Sequence, residues 1–124
     1  MKNQNPALTI SSLLSLVFTT FHLTQDNLHV QQGVDVQGTV ILLVIMLVMA
    51  YGTVELAGKR LGYVIMLLGG IAAATMPFLH TLGPRAIRWG FFFVWTLYAL
   101  GLTGTFSAVV SARELWRSFR APAP

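Results

Sequence analysis

His22 and Asp26 stand four residues apart inside a run that is otherwise almost wholly free of charge, the spacing that puts an imidazole and a carboxylate on one face of a helix. A carboxylate so placed can orient the ring or bias where its proton sits. His80 ends another apolar run, and His29 follows Asp26 by three residues. If the chain folds so that these groups meet at one level, two chemistries are open: His22, Asp26 and His80 suit a divalent metal, and facing His22 and His80 suit a b-type haem. A proton or substrate path along the same groups is a third reading. The plainest alternative is a hydrogen-bonded outer cap that includes Arg85 or Arg88. Glu55 is the other acid of interest, because it closes a long apolar run and an intramembrane carboxylate is a functional candidate. Lys59 lies four residues on, so a local ion pair at the membrane surface competes with a coupling-ion role.

Ser12, Ser15 and Thr19 lead up to His22 and Asp26 at intervals of three and four, which makes one polar seam of the five. The other side of the same helix carries Leu16, Phe18 and Phe21. A seam of this kind should turn toward the bundle and rise toward the outer surface. Its hydroxyls can bond to their own backbone carbonyls, so His22 and Asp26 are the members that need an explanation.

These groups must be held by elements that live in lipid. Of 124 residues, 55% are hydrophobic and 10% charged, where a water-soluble domain carries about 25% charged residues. Apolar stretches free of Asp, Glu, Lys and Arg run over 3–25, 36–54, 61–84 and 89–112. Each is long enough for a bilayer core of about 30 Å, which takes about 20 helical residues. The expected fold is all-α: an integral membrane four-helix bundle forming a single domain, with spans at 6–25, 35–57, 60–81 and 86–112. An interfacial segment at 113–120 and a tail at 121–124 follow. The first run reads as a retained helix, since no convincing small-residue cleavage site follows it. Asn5 before Pro6 fits a helix start, and Gly58 and the Gly83-Pro84 pair mark breaks.

The net charge of +4 is distributed between the apolar runs and forms no single patch. Lys2, Lys59, Arg60, Arg113, Arg117 and Arg120 fall on one side and Arg85 and Arg88 on the other, so six against two favours both termini in the cytoplasm. Trp89 and Trp116 then sit near opposite membrane surfaces, with Tyr63 near the inner one. Trp95 and Tyr98 lie deeper, where packing against neighbours is expected. Arg113, Arg117 and Arg120 alternate with Leu115, Trp116 and Phe119 to make a short cytoplasmic amphipathic extension facing anionic head groups. Nucleic acid is not an expected partner, because no basic stripe with interleaved aromatics exists.

Helices in lipid associate through close packing of small residues. Gly70 to Ala74 and Gly104 to Ala108 both have small-xxx-small spacing, so the third and fourth helices should cross there. Pro77 withholds a donor from Ala73 and predicts a bend.

Family patterns add little chemistry. Small multidrug transporters are similar in size, but they depend on a Glu in the first span, where this chain has none. Membrane anchors of respiratory dehydrogenases use histidines for haem but generally have three spans. The segments Phe21 to Asp26, Tyr63 to Gly69 and Phe91 to Thr96 resemble those of a group of small, uncharacterised bacterial four-span proteins. That resemblance covers nearly the whole chain and implies a bacterial inner membrane, without an activity. No Cys is present, and His-Glu-x-x-His, P-loop and Gly-x-Ser-x-Gly signatures are absent. The expectation is therefore a non-enzymatic accessory or scaffold subunit packed against a larger membrane complex, respiratory or photosynthetic. An electron-transfer protein using His22 and His80 and a small transporter are the alternatives.

Overall fold

Asn5 and Pro6 open the first helix as their chemistry dictates: the Asn5 side-chain oxygen accepts from the backbone N–H of Ala7, and Pro6 has no N–H to leave unpaired. The computed structural model describes residues 5–29, 36–82 and 90–120. Four helices make up the fold: α1 (Pro6–His29), α2 (Val36–Val54), α3 (Arg60–Thr81) and α4 (Gly90–Arg120). All four are long and apolar enough to cross a membrane. The chain is a multi-pass membrane protein built as an all-α bundle, with neighbours in sequence running antiparallel. One end of the bundle is marked by Asn5 of α1 donating to Glu114 of α4 at 3.0 Å and Arg60 donating to the Ser118 carbonyl at 2.7 Å. The other end is marked by His22 of α1 against His80 of α3.

α3 and α4 form the most extensive contact, and the reason lies in their glycines. A Cβ on Gly70 would come 2.7 Å from the Gly104 carbonyl oxygen and the Ala108 nitrogen, and one on Gly104 would come 2.8 Å from the Gly70 oxygen. The two backbones touch where the small-residue spacing predicts. Gly101 lies against Pro77, and α3 continues past that proline to Thr81. α1 packs on α4 next most closely. There the Ser12 and Ser107 hydroxyls meet at 2.8 Å, both fully buried. An interhelical bond of this kind is worth about 0.6 kcal/mol on average in lipid. Ser12→Ala should therefore lower bundle stability by about 0.6 to 1.7 kcal/mol. A double-mutant cycle with Ser107→Ala, followed by denaturant unfolding in micelles, checks the coupling.

α2 is the outermost helix, with only Met49, Gly52 and Thr53 buried. It ends at Val54, three residues before the expected boundary at 57, because Gly58 takes φ +77° and turns the chain toward α3. Glu55 and Lys59 are consequently not on one continuous helical face. Both are exposed, and among the described residues they form no ion pair. The expected Glu55–Lys59 bridge is corrected on that ground.

α4 is one unbroken helix of 31 residues, about 46 Å long, so the segment 113–120 is a helical continuation of it. Within it Leu115 parts company with Trp116 and Phe119. Leu115 packs against the core of Leu8, Tyr63 and Met66, while the two rings are exposed and carry Arg120 and Arg60 over their faces at 4.6 and 4.9 Å. Tyr63, in the first turn of α3 and so near the end expected of it, is buried in that core. Trp95 packs edge-on against Phe18, as a deep ring should, but Tyr98 faces outward. Asp35, Arg85, Arg88, Trp89 and the tail at 121–124 lie outside the described residues, as does the side chain of His29.

Candidate functional site

The seam on α1 faces the bundle. Ser12, Ser15 and His22 are buried, Thr19 is half-buried and Asp26 opens toward the end of the bundle with its side chain 34% exposed. Ser15 donates to the Ser11 carbonyl and Thr19 to the Ser15 carbonyl, so these two hydroxyls are satisfied within their own helix. Ser12 bonds across to Ser107, which leaves the imidazole of His22 and the carboxylate of Asp26 at the far end of the seam.

α3 brings His80 to it. The two Nε2 atoms lie 3.0 Å apart, and the rings meet edge to face with centroids 4.6 Å apart. Asp26 Oδ2 lies 3.7 Å from His22 Nε2. One ligand atom from each of His22, Asp26 and His80 fits within a sphere of contacts no wider than 4.8 Å. Phe93 of α4 closes the site from a third side, with its ring 5.1 Å from His22 and 5.7 Å from His80. Just beyond, Thr96 donates to Gln25 Oε1 at 2.7 Å and ties α4 to α1 at the same level. The sequence singled out the three titratable groups but missed Phe93, Gln25 and Thr96, whose roles depend on how α4 sits against α1.

Distances decide between the two cofactor chemistries. A b-type haem between two histidines needs the axial nitrogens on opposite faces of the macrocycle, about 4 Å apart given metal–imidazole bonds of about 2.0–2.1 Å. At 3.0 Å, with the rings in direct contact, no porphyrin plane fits between them. The pair as it stands therefore suits a single ion better than a haem. A single ion held by both nitrogens at about 2.0–2.1 Å would subtend an angle of about 95°, and opening the pair by a few tenths of an ångström reaches a tetrahedral angle. Asp26 supplies a third donor, and its partial exposure gives an ion a way in.

Glu55, the remaining acid of interest, stands at the opposite end of the bundle, in the turn after α2, and belongs to no such cluster among the described residues. Arg113, Trp116, Arg117 and Arg120 lie at that end too, exposed along the last turns of α4. Arg117 donates to Glu114 at 3.1 Å, and Glu114 also accepts from Asn5, which staples the start of α1 to the end of α4. These contacts define the class of the molecule: a multi-pass membrane bundle whose polar groups converge at one end on two histidines and an aspartate. No family model, curated protein or solved structure matches the chain.

Proposed function

We propose that the protein binds a divalent transition-metal ion through His22, Asp26 and His80, as a membrane metal-binding protein and not as an enzyme. The observation that carries this reading is the pair of Nε2 atoms 3.0 Å apart with a carboxylate beside them. Two imidazoles and one carboxylate leave a fourth position for water or an incoming ligand. Imidazole with carboxylate suits zinc, copper, iron or nickel, with selectivity set by geometry. The cationic flanks of the spans support an orientation with both termini in the cytoplasm of a bacterial inner membrane, so the ion would approach from the outer face. The exposed arginines and rings at the end of α4 suit anionic lipid head groups on the inner face.

Equilibrium dialysis of the detergent-solubilised protein against Zn(II), with elemental analysis, tests the proposal. One zinc per chain is expected, reduced at least tenfold in affinity by Asp26→Asn. Retention of no more metal than a micelle blank would end it.

A second reading, an accessory subunit of a larger membrane complex, has one specific support. Tyr98 points outward and is 57% exposed, two turns into α4 on a stripe with Phe91, Trp95, Leu102 and Phe106. A phenol at that depth gains from a hydrogen-bonding protein partner. Co-purification of a stoichiometric membrane partner in mild detergent, lost on Tyr98→Phe, is the expected result; isolation of the chain alone counts against it.

A further inference from the structure

His22 also borders a small cavity of about 40 Å³ between the helices. Three of the five methionines of the chain, Met46, Met49 and Met76, line it beside His22 and Thr19. The Thr19 hydroxyl is already committed to the Ser15 carbonyl. The Nδ1 atom of His22 is not committed: it is buried without a hydrogen-bond partner among the described residues, in a residue 3% exposed. A buried polar nitrogen left unpaired is costly and calls for an occupant. The surroundings say which kind. Thioether sulfurs are soft, polarisable donors on flexible side chains, and thioether with imidazole selects Cu(I) over hard cations. A cavity of this size exceeds the roughly 10–15 Å³ that one water requires, so it admits an ion without displacing a helix.

We propose that this cavity is a second metal position, specific for a soft monovalent ion of the Cu(I) class, with His22 Nδ1 and the sulfurs of Met46, Met49 and Met76 as its donors. It goes beyond the outer site and shares only His22 with it. When Nδ1 ligates, Nε2 keeps its proton and donates it to His80 Nε2, the second-shell bond that orients a metal-bound imidazole. When Nε2 ligates at the outer site, its proton moves to Nδ1 and the inner position loses its nitrogen donor. The two positions therefore exclude one another, and each takes its own ion from solution, a divalent one at the outer site and a monovalent one at the methionines. No change of oxidation state is involved in the inner binding itself.

The test uses the full chain in detergent, stripped of metal and titrated anaerobically with Cu(I) against a chromophoric Cu(I) chelator. Copper X-ray absorption reads the ligands. One Cu(I) per chain with sulfur and nitrogen scatterers is expected. Met46→Leu with Met49→Leu and Met76→Leu, a volume-conserving change, should weaken Cu(I) at least tenfold, remove the sulfur signal and leave Zn(II) affinity intact. Absence of Cu(I) retention, equal affinity in the triple variant, or scattering from nitrogen and oxygen alone would overturn the proposal. So would simultaneous retention of Zn(II) and Cu(I) on one chain. Sulfur-ligated Cu(I) on a chain that binds no Zn(II) would remove the outer site and leave this one standing.

Discussion

Replacing His80 with alanine should abolish binding of divalent metal, weakening it by more than about 100-fold, since loss of a direct ligand exceeds the 10- to 100-fold cost of disturbing an outer-shell partner. The physical reason is that the site has no reserve. His22, Asp26 and His80 form the one group of three metal-ligating side chains among the described residues, and His80 is the contribution of α3. Without it, an ion meets one buried imidazole and one half-exposed carboxylate on a single helix. His80 itself is only half-buried, so truncation should leave the bundle folded. Parallel Zn(II) dialysis and thermal unfolding separate the two effects: affinity collapses while the transition temperature of the metal-free protein hardly moves. A matching loss of both would show that His80 is a packing residue.

The second large effect is structural and sits at the crossing of α3 and α4. Gly104→Val should destabilise the bundle by about 3 kcal/mol, at the upper end of overpacking costs. The new Cβ would stand 2.8 Å from the Ala74 nitrogen and the Gly70 carbonyl oxygen, which are backbone atoms of a neighbouring helix and cannot rotate away. The helices must separate, and with them the packing that lipid itself does not reward. Thr105→Val, one residue along on the exposed side, is the control and should change stability by less than about 0.5 kcal/mol. Since α3 carries His80, a Gly104→Val chain that remains folded should also bind metal more weakly. Denaturant unfolding of both variants in micelles, read by circular dichroism, measures the difference.

Much of this organisation was legible in the sequence because lipid imposes simple rules. Four uncharged runs of sufficient length admit little except four spanning helices, and the glycine spacing on α3 and α4 marked their crossing. The convergence of His22 and His80 followed from antiparallel counting: each lies near the end of its span that faces the same way. What could not be read was azimuth. Nothing in the residue order says that Tyr63 turns into the core while Tyr98 turns out, or that Leu115 leaves the side shared by Trp116 and Phe119. The methionines escaped notice for the same reason, since Met46 and Met49 on α2 and Met76 on α3 become neighbours of His22 only through the packing of separate helices. Helix α2 ended early because a single left-handed glycine, Gly58, outweighed the apolar run that precedes it.

The most direct measurement is a Co(II) titration of the metal-free protein in lipid nanodiscs, followed by visible absorption. Binding at His22, Asp26 and His80 predicts a saturable ligand-field band at one equivalent, absent from the His80→Ala chain and displaced by Zn(II). A spectrum no different from Co(II) with empty nanodiscs, or one that His80→Ala leaves unchanged, would contradict it.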